Sequence, residues 1–211
     1  MATRRLGRAE VRTPRARGNA ASGRRAELLR IAAGQFASHG FAATTVRDIA
    51  DEAGILSGSL YHHFRSKEEM LDEILRDFLG SLFERFQEIE KEGEGPREVL
   101  DGLIQHSFTT IHERPEAVAL YQNESGSLSG LPGFEYVDEF SKKIERIWLG
   151  ALTAGQKSGV FPDDIDVKLN YLFIRDTVWS AVRWYRPGGK YRPETLAAQY
   201  LRVLHTGLLA T

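Results

Sequence analysis

Cysteine is absent from this 211-residue chain, which excludes disulfides, thiolate metal sites and a cysteine nucleophile. No apolar run reaches the roughly 18 residues that a membrane-spanning helix needs. The arginines near the N-terminus are not followed by an apolar stretch, so a secretory signal is not expected. These absences predict a cytoplasmic protein with no membrane partner. Strand-like alternation and internal repeats are also missing, leaving helical periodicity as the dominant pattern. Enzyme signatures are lacking as well: no nucleophile elbow, glycine-rich phosphate loop or His-x-x-x-His pair occurs. His62 and His63 are adjacent and cannot ligate a metal from one helix face. His106 and His112 do not share a face either. No catalytic residue, bound metal or cofactor is therefore expected.

Charge is present but unevenly placed. The net charge is −1, yet residues 1–67 carry 12 Lys and Arg against 5 Asp and Glu, while residues 68–211 carry 16 against 24. A basic first third suits phosphate neutralisation, and an acidic remainder limits nonspecific wrapping. That division alone fits DNA, RNA or an anionic membrane. Residues 1–23 hold Arg4, Arg5, Arg8, Arg12, Arg15 and Arg17 among small residues and are expected to form a disordered basic arm. Such an arm can enter a minor groove or act only as a diffuse attractant.

The segment from Thr44 to Phe64 selects DNA. Thr44 or Thr45 supplies an N-cap hydroxyl, and Asp48 completes a near capping box with Thr45. Val46, Ile49, Ala50 and Ala53 give the first short helix one buried face. Gly54 permits the left-handed turn that follows. Ser57 is expected to recap the chain, with a second helix from about Gly58 to Phe64. Leu60 and Phe64 face inward, leaving Ser57, Gly58, Ser59, Tyr61 and His62 outward. Small residues at the start of a reading helix let the backbone approach base edges, and Tyr61 and His62 can reach phosphates or bases. Ser66 then caps a long helix whose first turn holds Glu68 and Glu69, with Lys67 placed to meet a backbone phosphate.

From about Arg24 to Leu75 this constellation resembles the TetR family of bacterial transcriptional repressors. The resemblance rests on Arg25 through Ala33 with Phe36, Gly40 and Phe41, on the two short helices, and on Ser66-Lys67-Glu68-Glu69. It implies an all-α fold, with a three-helix helix-turn-helix domain at residues 24–67 and a larger ligand-binding and dimerisation domain at 68–211. It also implies a homodimer on palindromic double-stranded operator DNA, released by a small-molecule effector. Carried over by position, Arg25, Thr45, Arg47, Ser57, Gly58, Ser59, Tyr61, His62 and Lys67 become the DNA contacts.

The second domain reads as further helices starting near Pro96, Pro115, Phe134, Asp166 and Pro193. Three of these starts are prolines, whose missing N–H costs nothing in a first helical turn. Phe78, Phe83, Phe86 and Trp148 read as core packing. Leu196, Tyr200, Val203, Leu204 and Leu208 form an apolar face suited to a dimer bundle. Between Asn170 and Gly189, Leu172, Arg175, Asp176, Trp179, Val182, Arg183 and Arg186 fall on one helix side. A buried arginine there needs an anionic partner, and Asp176, adjacent in sequence, is expected not to face Arg175 directly. An anionic ligand could supply that partner, with Trp179 stacking one turn away. Equally, Arg175 and Arg183 could pair with acids such as Glu124 or Asp176, or line a subunit interface.

Beyond the family level, Ile55 through Phe64 together with Phe173 through Asp176, Trp179 and Arg183 through Gly189 resemble one actinobacterial subgroup. Its members are TetR-type repressors of genes that degrade the last rings of cholesterol. This implies a coenzyme A thioester of a bicyclic steroid remnant, a hexahydroindanedione propanoate, as effector. Phe108, Tyr121, Phe134 and Trp179 would suit the rings; Arg175, Arg183 and Arg186, with neighbouring Trp184, would suit coenzyme A. A fatty acyl thioester satisfies the same groups. An enzyme or a nonspecific architectural DNA binder remains the competing class.

Overall fold

A computed structural model describes residues 14–207, with side chains from residue 23 onward. Nine α-helices follow in order among these residues: α1 (Pro14–His39), α2 (Val46–Glu52), α3 (Ser57–Leu60), α4 (Lys67–Glu92), α5 (Pro96–Glu113), α6 (Pro115–Leu128), α7 (Glu135–Lys157), α8 (Val167–Ser180) and α9 (Pro193–Thr206). A short 3₁₀ turn, Ala181–Arg183, ends α8. No strand occurs among the described residues, and none of their helices is long and apolar enough to cross a membrane.

The local signals act as their chemistry predicts. Thr45 accepts the Asp48 N–H at 3.2 Å while the Asp48 carboxylate accepts the Thr45 N–H at 2.8 Å, a complete capping box. Gly54 turns the chain at φ +65°, and Ile55 N–H closes the turn on the Ala50 carbonyl at 3.0 Å. Ser66 caps α4 through the Glu69 N–H at 3.2 Å. Pro96, Pro115 and Pro193 each occupy a helix start.

α4 joins the two halves. Its nine buried apolar side chains, Met70 through Ile89, run from the helix-turn-helix into the effector half without interruption. At about 1.5–3 kcal/mol for each fully buried large apolar side chain, packing outweighs the ~1 kcal/mol of its N-cap. The helix is thus a rigid member common to both halves.

Three expectations need correction. Residues 14–23 are helical, where an arm disordered through residue 23 was expected. Pro14 is placed to start a helix, and the Ala and Arg residues after it favour one. The rest of that expected arm, 1–13, lies outside the described residues. Ser57 is the first residue inside α3 and not its cap; Leu56 takes the cap position and provides no side-chain hydrogen bond. Finally, α3 ends at Leu60 and continues as turns to Phe64. Arg25 takes up the His63 carbonyl there, and Leu60 and Phe64 are buried as the periodicity requires.

Candidate nucleic-acid interface and effector cavity

Most of the residues expected to read DNA are open to solvent. Thr45, Arg47, Gly58, Ser59, Tyr61 and His62 are exposed, and Ser57 is half-buried. Arg47 has only a loose exposed ion pair, 3.7 Å from Asp51. A Cβ at Gly58 would meet nothing within 4 Å, so internal packing places no demand for glycine there. The Thr45 hydroxyl is engaged in its cap, donating to Asp48 at 2.6 Å; the Thr45 bonds hold the Asp48 carboxyl below its ordinary range. Sequence reasoning missed Leu56, which is 80% exposed immediately before Ser57. An apolar residue where Ser or Asp would cap the helix was the available signal.

Arg25 and Lys67 are held differently from the other expected contacts. The Lys67 ammonium donates to the carbonyls of Phe41 at 2.8 Å, Ala42 at 3.3 Å and Thr44 at 2.9 Å. It also lies 4.5 Å from the Phe41 ring centroid. Its three protons are thereby engaged within the chain, pinning the start of α4 to the α1–α2 turn. The Arg25 guanidinium donates to Glu73 and to the His63 carbonyl, and lies 4.1 Å over the Phe64 ring. This ties the end of the reading turn to α1 and α4. Arg25→Met is expected to lower the melting temperature by several degrees, corresponding to loss of about 1.5–3 kcal/mol from a charged hydrogen-bonded group. Operator titrations at several salt concentrations should show weaker binding with an unaltered salt slope; a shallower slope would make Arg25 a phosphate contact.

The effector half holds a cavity of about 630 Å³ that is partly open to solvent, within the usual range for small-molecule sites. Phe78, Leu79 and Leu82 of α4 and Ile144 and Trp148 of α7 give it an apolar wall. Across from these, α8 and its 3₁₀ end present Arg175, Asp176, Trp179 and Arg183, and α6 contributes Tyr121. Phe78 and Trp148 are therefore both core and lining. Arg175 does meet Asp176, Nε to Oδ1 at 2.7 Å; the two neighbours were expected not to face each other directly, and the pair found is the acid-pairing alternative. Adjacent side chains on a helix can converge when a long, flexible arginine folds back towards its neighbour. The Asp176 hydrogen bond raises the Arg175 pKa, keeping the guanidinium charged. Burial pushes the neighbouring Tyr171 phenol up. An anionic ligand would meet Arg175 by competing with Asp176.

Four other expected ligand residues lie outside this lining. Trp184 is 57% exposed beyond the 3₁₀ turn. Arg186 folds back to donate to the Arg183 and Tyr185 carbonyls. Phe108 packs edge-on against Tyr200 of α9, centroids 6.2 Å apart. Phe134 precedes α7 beside Tyr136 at 6.1 Å. The tighter winding of the 3₁₀ turn ends the helical repeat on which Trp184 and Arg186 had been placed.

α6 connects cavity and reading head. Tyr121, Gln122 and Ser125 line the cavity, while the intervening Asn123 and Glu124 face α1. Glu124 accepts the Phe41 N–H at 3.0 Å, and Asn123 donates to the Ala37 carbonyl at 3.4 Å. Glu124 thus holds the same turn that Lys67 holds from α4. Elsewhere, Leu169 and Phe173 on α8 and Val203 and Leu204 on α9 are exposed; Leu208, expected on this face, lies outside the described residues.

Comparison with known proteins supplies the context for this arrangement. Residues 28–74 match bacterial regulatory proteins of the tetR family, and residues 93–208 match a tetracyclin repressor-like C-terminal domain. The chain is 53% identical over 187 residues to the HTH-type transcriptional repressor KstR2 of Rhodococcus jostii, spanning 89% of this chain and 92% of that protein. Against KstR2 of Mycobacterium tuberculosis it is 49% identical over 185 residues, 88% of this chain and 92% of the relative. The solved structure of the ketosteroid transcriptional regulator KstR2 of Mycobacterium tuberculosis superposes with a TM-score of 0.85 at 48% identity, covering 89% of this chain and 96% of that one.

Proposed function

The chain belongs to the TetR family and is a transcriptional repressor, and on that premise we propose that an acyl coenzyme A thioester releases it from operator DNA. It is a regulator and not an enzyme, as its family and relatives are. The effector we assign is the thioester of a bicyclic steroid-degradation intermediate from cholesterol catabolism. One observation carries this reading: a single cavity pairs an apolar wall with Trp179, Arg175 and Arg183. Fused rings suit Phe78, Leu82 and Trp148, and anionic groups suit the arginines at the α8 side. The ketosteroid named for a solved relative agrees with that chemistry.

The repressor acts as a cytoplasmic homodimer on a palindromic operator. Two reading heads must match successive major grooves, roughly 34–36 Å apart. Exposed Leu169, Phe173, Val203 and Leu204 support an interface along α8 and α9. The effector fills the cavity, shifts α6 and α4 and alters the spacing of the heads. No cofactor takes part.

Fluorescence anisotropy on DNA from the protein's own promoter region tests this. The bicyclic steroid thioester should release the DNA, while its free acid and a plain fatty acyl thioester should not. Release by the fatty acyl thioester alone would replace the effector class; release by none would discard it. Arg175→Met should keep operator affinity within twofold and lose most of the response. A variant that lost DNA binding too would make Arg175 structural.

A further inference from the structure

Among the polar groups that line the cavity is one hydroxyl pair whose protons can be counted. Tyr121 of α6 and Ser141 of α7 both line the cavity, and their oxygens lie 2.7 Å apart. Ser141 Oγ also lies 2.7 Å from the Val137 carbonyl one turn earlier on α7. A carbonyl can only accept, so the single Ser141 proton goes to Val137. Ser141 must then accept from Tyr121, which uses the only phenol proton. The phenol oxygen keeps a lone pair to which no group among the described residues donates. Its ring is packed against Phe78, centroids 5.9 Å apart, which restrains where that oxygen points.

We propose that Tyr121 and Ser141 form an oxygen-reading subsite, which takes a neutral ring hydroxyl or ring ketone on the apolar end of the effector. This rests on the effector reading above and narrows it, because a plain saturated acyl chain carries no such oxygen. A ring hydroxyl donates directly to the waiting phenol lone pair. A ring ketone is met by reversing the relay: Ser141 turns its proton from Val137 to Tyr121, and Tyr121 donates to the ketone. The Val137 carbonyl loses only its second, side-chain partner, since it lies inside α7, where the backbone supplies its regular bond. The pair is thus two-way, and its selectivity is for oxygen over methylene. A ligand oxygen buried here without Tyr121 would be left unpaired, which is the costly state.

Calorimetry on the DNA-free full-length protein decides the matter, using the bicyclic ring thioester with its ring ketones and the analogue lacking both ring oxygens. The wild type is expected to bind the oxygenated ligand about tenfold tighter. Tyr121→Phe should weaken that ligand alone by about tenfold and leave the deoxygenated one unchanged. Ser141→Ala should retain part of the preference, because Tyr121 can still donate to a ketone. Equal binding of both ligands by the wild type, or equal weakening of both by Tyr121→Phe, overturns the subsite while leaving the effector reading standing. Binding of neither thioester overturns that reading and the subsite with it.

Discussion

A Glu124→Ala repressor is expected to bind its effector with near-normal affinity and yet stay on the operator. Glu124 sits on α6 between residues that line the cavity, and its carboxylate accepts the Phe41 N–H at 3.0 Å. Phe41 lies in the turn leading to Thr45, the cap of α2. A displacement of α6 by ligand therefore pulls directly on the mount of the helix-turn-helix. Coupling between effector and target sites is typically about 1–3 kcal/mol, or 5–150-fold. One hydrogen bond to a charged group contributes about 1.5–3 kcal/mol, enough to carry most of it. The ratio of operator dissociation constants with and without effector should fall at least tenfold, measured by anisotropy alongside calorimetry of the effector alone. Glu124→Gln keeps an acceptor oxygen and should retain part of the response. An alanine variant that is released like the wild type would remove Glu124 from the pathway. One whose effector affinity collapses would place its role in shaping the cavity. The prediction rests on the effector reading; if wild type shows no release, it falls with that reading.

Lys67→Met is expected to weaken operator binding tenfold or more without changing its salt dependence. The three carbonyls that Lys67 holds, those of Phe41, Ala42 and Thr44, form the turn that sets the angle of α2. Methionine keeps much of the apolar stem but leaves those acceptors without their charged donor. The loss should also lower the melting temperature by several degrees, from about 1.5–3 kcal/mol of charge-assisted bonding. A lysine that neutralised phosphate would behave otherwise, reducing the salt slope by about 1 for each contact removed. Titrations across salt concentration separate the two roles. A shallower slope with an unchanged melting temperature would return Lys67 to the phosphate backbone.

These two residues mark where the sequence can and cannot be read. Lys67 occupies the mouth of the reading head, as its position beside the Ser66 cap implies. That position does not reveal which oxygens its ammonium meets, because the carbonyls belong to a turn more than twenty residues earlier. Glu124, offered by the sequence as a partner for Arg175 or Arg183, instead accepts from a backbone amide 83 residues away, which no local pattern signals. Arg175 and Asp176 show a different failure. Helical spacing places their Cβ atoms apart, but an arginine long enough to fold back forms the 2.7 Å pair.

The sequence by itself determined most of the helices and the helix-turn-helix, because caps, glycine turns and apolar periodicity act within a few residues of the chain. Thr45 with Asp48, Gly54, Ser66 and the buried row from Met70 to Ile89 are all of this kind. Tertiary structure alone decided which side chains share the cavity. Trp179, Arg175, Arg183 and Tyr121 reach it, while Trp184, Arg186, Phe108 and Phe134 do not. The rotation of each helix about its axis is set by packing against distant elements, and the 3₁₀ turn at Ala181–Arg183 resets the phase of everything after it. No local pattern encodes that rotation, because the contacts that fix it are made only when the chain has folded.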